Sequence, residues 1–228
     1  MVIKSARRQV NTEGILHVSG QTIERVFSVT YLGLSFDHDL KWKSQVQKVT
    51  NTIAPLVGII SKIRHYVPRY ILLLMYNTLI LPHVNYCIEI WGNTYPSHLE
   101  PILLLQKKIV RFITFSDFHA PSAPLFQHLR ILDVYNLCKF HTCIFIFDLL
   151  NDRFAHDINQ YLDQIPHSYP TRFATHGNFH VPKVNLTQNK YSIKYAATSH
   201  WNSLPSHIKN ITNRHLFKQT LKTYLLDG

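Results

Sequence analysis

The sequence predicts an α+β chain that is mostly α: a β meander over residues 1–38, a helical region over 39–150, and a less regular extension over 151–228 that ends in a basic helix. Three observations carry this. Short apolar runs separated by turn residues fill the first part. Val46, Val49, Ile53, Leu56, Ile60 and Ile63 recur at helical spacing in the second. Periodicity is lost after residue 150, where Pro166, Pro170, Gly177 and Pro182 punctuate the chain, and it returns only near the end.

Taken in order, Ile15 to Val18 and Thr22 to Phe27 read as two strands about a Ser19-Gly20 turn, and Val29 to Phe36 as a third. Asp37 or Asp39 is placed to cap the first helix, because a short carboxylate satisfies the free amides of a first turn. Pro55 lies inside that helix and removes the amide that would bond the Asn51 carbonyl, which predicts a kink or two stacked helices. Pro68 opens the next helix and Pro82 closes it. Ser97 with Glu100 predicts a capping box before a helix over Ile102 to Thr114. There Ile102, Leu105, Ile109 and Phe112 or Ile113 face inward, with Lys107, Lys108 and Arg111 on another side. A short helix is expected over Pro124 to Leu129, then one from Val134 to Leu150 capped by Asp133. In the final helix Phe217, Leu221 and Tyr224 or Leu225 form one stripe, and Arg214, Lys218 and Lys222 form another.

At 228 residues and 46% apolar the chain can bury a core. Lys and Arg number 24 against 13 Asp and Glu, a formal charge of +11 that favours a polyanionic partner. Three cysteines, an odd number, argue against a disulfide framework. The N-terminus lacks the apolar core of a signal peptide, so the expected location is intracellular, nucleus or cytoplasm, without secretion. The longest apolar run, Ile71 to Met75 with Leu79 to Leu81 beyond, is broken by Asn77 and closed by Pro82, short of the ~20 residues a membrane span requires. No membrane partner is expected.

Few residues suggest chemistry. Neither a G-x-x-x-x-G-K-[ST] nor a G-x-G-x-x-G phosphate loop is present. Asp37-His38-Asp39 could offer two carboxylates to one face of a strand, but Trp42 and the helical stripe follow at once, which suits a strand end and helix cap. Cys138, His141 and Cys143 fall within an apolar helix and do not match paired zinc motifs; they read as two buried thiols and a packed imidazole. The two basic stripes, Lys107 with Lys108 and Arg111, and Arg214 with Lys218 and Lys222, would attract phosphate without reading sequence.

One set of segments carries a resemblance. Tyr31-Leu32-Gly33 with Asp37 and Trp42 comes first, then Pro82, Tyr86-Cys87 and Trp91-Gly92, then Leu105-Gln106-Lys107, Tyr169-Pro170-Thr171-Arg172 and Trp201-Asn202-Ser203-Leu204-Pro205. In this order they resemble the C-terminal part of jockey-type non-LTR retrotransposon reverse transcriptases: the hairpin that grips the primer end, the thumb and the segment beyond. The resemblance implies that Tyr31, Leu32 and Gly33 position a primer strand, and that the basic helices hold a template-primer duplex by its backbone. The family's polymerases join nucleotides with Mg²⁺ held by carboxylates that include an adjacent Asp-Asp pair, and this sequence has no adjacent Asp-Asp. The expectation is therefore a non-enzymatic fragment with no catalytic residue, no metal site and no cofactor of its own. It would bind RNA-DNA or DNA duplex independently of sequence and associate with an intact reverse transcriptase. The alternative is a protein-interaction or scaffold module derived from a mobile element.

Overall fold

The computed structural model describes residues 1, 17–154, 178–184 and 187–227. The class is as the sequence predicts: a small strand-bearing N-terminus followed by helices. The strands are β1 (His17–Val18), β2 (Gln21–Thr22), β3 (Ser28–Tyr31) and β4 (Leu34–Asp37), paired antiparallel as β1 with β2 and β3 with β4. The expected Ser19-Gly20 turn joins the first pair, both residues at positive φ. Ile15 and Leu16, also expected in a strand, lie outside the described residues.

The third predicted strand is instead the β3–β4 hairpin, folded back at Leu32 (φ 46°) and Gly33 (φ 78°). Two successive left-handed residues between directly paired Tyr31 and Leu34 make the mirror-image turn that suits strand twist. That turn usually announces itself as Asn-Gly or Asp-Gly; a leucine in the first position hides it.

Helix α1 (Lys43–Ile63) runs unbroken through Pro55, so the two-helix expectation is not met. Pro55 and Asn51 both face water, where the carbonyl left without an amide partner is solvated. The buried stripe is Val46, Val49, Ile53, Val57 and Ile60. The N-cap position is Trp42, without a side-chain cap of its own, rather than Asp37 or Asp39; Asp37, five residues earlier, satisfies a first-turn amide, its Oδ2 accepting the Ser44 N–H at 3.2 Å.

Helix α2 (Arg69–Met75) begins after Pro68 and passes through a wide π turn (Tyr76–Ile80) into α3 (Leu81–Asn85). Pro82 therefore does not end the helix. It sits in the first turn of α3, where a proline needs no amide partner, and the wide turn before it absorbs the mismatch.

After α4 (Ile88–Trp91), helix α5 spans Pro96–Thr114. It starts at Pro96, so Ser97 lies within its first turn and the capping box does not form. Its inward set is Leu99, Ile102, Leu103, Gln106, Ile109, Val110 and Ile113; Leu105 and Phe112 are half-buried. Helix α6 (Ser122–Leu129) is close to expectation. Asp133 caps α7 (Val134–Leu150) through its Oδ1 and the Asn136 amide at 2.8 Å.

Most of the aperiodic stretch from Asn151 to Lys190, with the Tyr169-Pro170-Thr171-Arg172 motif, lies outside the described residues. A 3-10 turn (Thr187–Tyr191) leads into α8 (Ile193–Asn202), α9 (Ser206–Lys209) and α10 (Arg214–Asp227).

Two apolar cores share α7. One joins Leu34 and Trp42 to α1, α2, α5, α6 and the first half of α7; the other packs the second half of α7 against Phe179, Trp201 and α10. Helix α7 is accordingly buried nearly all round, and such a helix carries no single apolar stripe. Phe147 stacks on Phe217 with ring centroids 4.4 Å apart, and both are fully buried. The Trp201-Asn202 pair is structural: Trp201 is buried, and the Asn202 amide exchanges two hydrogen bonds with the Phe179 backbone, at 2.9 and 2.8 Å.

Candidate nucleic-acid interface

The tip of the β3–β4 hairpin projects its side chains outward while its backbone is held from beneath. Leu32 is 73% exposed and Tyr31 is 65% exposed. Beneath them, the Tyr86 hydroxyl donates to the Leu32 carbonyl at 2.7 Å, and the Lys48 ammonium of α1 donates to the Gly33 carbonyl at 2.8 Å. Gly33 lies against the Tyr86 ring, and the turn needs glycine there for its φ of 78°.

Tyr86 is itself set by the Trp91-Gly92 corner. The Trp91 indole, fully buried, donates to the Tyr86 carbonyl at 2.7 Å. A Cβ on Gly92 would fall 2.5 Å from the Ile88 carbonyl oxygen and 3.0 Å from the Cys138 sulfur, so only glycine lets α4 pack this closely on α7. Two of the segments that carry the resemblance, Tyr31-Leu32-Gly33 and Tyr86 with Trp91-Gly92, are thus physically joined: the aromatic corner holds the hairpin tip.

Beside the tip runs the solvent face of α1, a shallow groove lined by Lys43, Ser44, Gln47, Lys48, Asn51 and Thr52. Every one of these side chains can donate a hydrogen bond. Residues 40–88 contain no Asp or Glu, while Lys41, Lys43, Lys48, Lys62, Arg64 and Arg69 lie among them. Among the described residues Lys41 alone of these forms an ion pair, at 2.7 Å, with Asp39, just outside the stretch. The sequence reading missed this face because its cations follow no single helical row; the gap in carboxylates was the available signal.

The two nominated stripes differ from it. On α5, Lys108 is exposed and Lys107 half-buried, but Arg111 is tied inward, its Nε donating to the Ala120 carbonyl at 3.0 Å. On α10, Arg214 makes a two-pronged pair with Asp148, both contacts at 2.7 Å, and this pairing raises its pKa above the usual guanidinium value. Burial, with Arg214 and Arg130 nearby, lowers the pKa of Lys218 and Lys222 respectively. The hairpin tip and Lys48 are brought together; no contact joins the tip to Lys107, Lys108, Lys218 or Lys222 among the described residues.

Comparison with known proteins gives one distant likeness. A probable RNA-directed DNA polymerase from the transposon X-element of Drosophila melanogaster is 23% identical over 153 residues. The match covers 62% of this chain and 15% of that polymerase, so the chain spans a small part of its relative's length. It supports a relation to retrotransposon reverse transcriptases. No family model matches, and no solved structure matches.

The remaining candidates are structural where described. Asp37 and Asp39 are engaged with the Ser44 amide and with Lys41. Cys138 and Cys143 are buried, and burial pushes both thiols up to about 12. Burial also lowers the pKa of the His141 imidazole. Among the described residues no three His, Cys, Asp or Glu side chains gather as metal ligands, and no helix is long and apolar enough to cross a membrane.

Proposed function

We propose that this chain is a thumb-like segment related to the C-terminal part of a jockey-type reverse transcriptase, and that it holds template-primer duplex by its phosphate backbone without catalysing extension. The observation that carries the reading is the adjacency of the hairpin tip to the carboxylate-free face of α1, joined by Lys48 to the Gly33 carbonyl. Backbone amides, hydroxyls, side-chain amides and ammonium groups are what phosphate and sugar contacts use, and they carry no base information. Tyr31, Leu32 and Gly33 would meet the primer end, Lys43 and Lys48 the adjoining phosphates, and Lys107 and Lys108 a further stretch of backbone. Catalysis would need paired divalent cations held by converging carboxylates; the family's Asp-Asp pair has no counterpart in the sequence.

The test is equilibrium binding to an RNA-DNA hybrid and to DNA duplexes of different sequence. Similar affinities are expected for all. With about four phosphates neutralised, log affinity falls with log salt at a slope of roughly −3 to −4 on duplex DNA. Primer, template, nucleotides and Mg²⁺ should give no extension; extension would contradict the reading.

One observation favours a protein partner as a second reading. β3 is exposed along its whole length, and Phe27, Val29 and Tyr31 leave apolar surface in water. An intact reverse transcriptase is the partner the resemblance suggests, and a pull-down that survives nuclease would support it.

A further inference from the structure

We propose that the end of the helical body where α1, α2 and the loop after α5 meet is a second surface, a stacking platform for unpaired bases of a single-stranded polynucleotide. The inference extends the nucleic-acid reading above and rests on it. Four large rings stand in water there: Tyr66 is 87% exposed, Tyr70 69%, Phe118 67% and Phe115 50%. Rings of this size normally bury most of their area, so four at one end of a body need a reason.

Contacts bring the elements together and fix them. The His65 ring lies 6.1 Å from that of Phe115, which joins the end of α1 to the end of α5. The Arg64 guanidinium lies 5.0 Å from the Phe112 ring centroid and donates to the His65 ring at 3.0 Å. The loop beyond α5 is tied back by Arg111, whose Nε reaches the Ala120 carbonyl, and by the Ser116 amide on the Arg111 carbonyl at 3.0 Å. Asp117, the loop's carboxylate, accepts the His119 amide at 2.8 Å, and the Phe118 ring meets that of His119 edge-on. Phe115 and Phe118 thus sit on a loop braced against the end of α1, which lowers the entropic cost of stacking on them.

Charge identifies the occupant. Lys62, Arg64 and Arg69 lie within a few residues of Tyr66 and Tyr70, in the stretch of chain that lacks carboxylates, and Arg64 reaches across to the Phe112 ring of α5. Cations beside exposed aromatic faces suit a strand whose phosphates run along the cations and whose bases lie on the rings. A duplex conceals its base faces and cannot use the rings, so this surface favours a single strand.

The test uses the full chain with three probes: a labelled oligo-dT, an abasic strand of equal length and charge, and a blunt duplex. The abasic strand should bind at least about ten-fold more weakly than oligo-dT, and each ring removed from Tyr66→Ala, Tyr70→Ala and Phe118→Ala should cost about five-fold or more in oligo-dT affinity. Duplex affinity should not change in these variants. Equal binding of abasic strand and oligo-dT overturns the proposal without any variant. So do variants that fold normally and keep full oligo-dT affinity, including the case in which the same rings prove necessary for a protein partner instead. Failure of the wild-type chain to bind duplex would sink the phosphate reading alone, so the two failures are distinguishable.

Discussion

Along α10, Arg214, Lys218 and Lys222 follow at one-turn intervals; along α1, Lys43, Lys48 and Lys62 are scattered over a longer face. By spacing, α10 is the better phosphate site. The structure reverses the ranking. Arg214 is committed to Asp148 on α7, and its two lysines are partly withdrawn from water. The face of α1 meets no carboxylate within its own stretch of chain, and it abuts an exposed hairpin tip. A row of cations is available to a partner only where no nearby carboxylate claims it, and that depends on packing across the chain.

The largest effect should separate the two helices by stability. Phe217→Ala empties a fully buried stacking position beneath α10 and should cost about 3–5 kcal/mol in denaturant unfolding. If α10 were a detachable basic arm, the loss would be far smaller. Next, Arg214→Leu leaves Asp148, 7% exposed, without its two-pronged partner; Arg153 approaches only to 3.6 Å. A loss of about 3 kcal/mol is expected, at the low end for breaking a buried pair because the Arg214 side chain is itself 39% exposed. Lys43→Gln, by contrast, should stay within about 0.5 kcal/mol, as exposed substitutions do, and Lys48→Gln, which gives up the bond to the Gly33 carbonyl, should cost about 1 kcal/mol or less.

Acid should weaken the C-terminal core. Burial, with Lys139 nearby, lowers the His200 imidazole to about 4, and its buried Nδ1 has no hydrogen-bond partner among the described residues. The folded state keeps His200 neutral where the unfolded chain, near 6.5, takes up a proton. Its contribution is present above pH 6.5 and is lost as pH falls from there toward 4, to a total of about 3 kcal/mol. His200→Gln should flatten that part of the pH-stability curve, and an unchanged curve would show that another group is responsible.

The smallest effects concern the hinge between the hairpin and the body. Tyr86→Phe removes the donor to the Leu32 carbonyl and should cost about 1 kcal/mol or less in stability. Duplex affinity should fall several-fold as the tip loosens. Native alkylation should reach Cys87 and spare Cys138 and Cys143, whose buried thiols form little thiolate.

Much of the helical body was legible because its signals are local. The α1 stripe, the Asp133 cap and the end of α6 at Leu129 each depend on residues within a few positions. The β3–β4 turn was not legible, because Leu32 carries none of the polar turn chemistry that usually marks a left-handed pair. Pro82 misled because a π turn, which has no sequence pattern here, lies before it. The commitment of Arg214 was out of reach for a further reason: Asp148 lies 66 residues away. At the candidate site, Tyr31-Leu32-Gly33 was found through resemblance, whereas Lys48 and Tyr86, which hold it, are explained only by the folded contacts.

The most direct measurement of the central claim is the salt dependence of duplex binding in two double variants, Lys43→Gln/Lys48→Gln on α1 and Lys218→Gln/Lys222→Gln on α10. The slope of log affinity against log salt should lose about one unit per lysine removed from α1 and change little for α10. An unchanged slope for the α1 pair, or an equal loss for both pairs, would contradict the account.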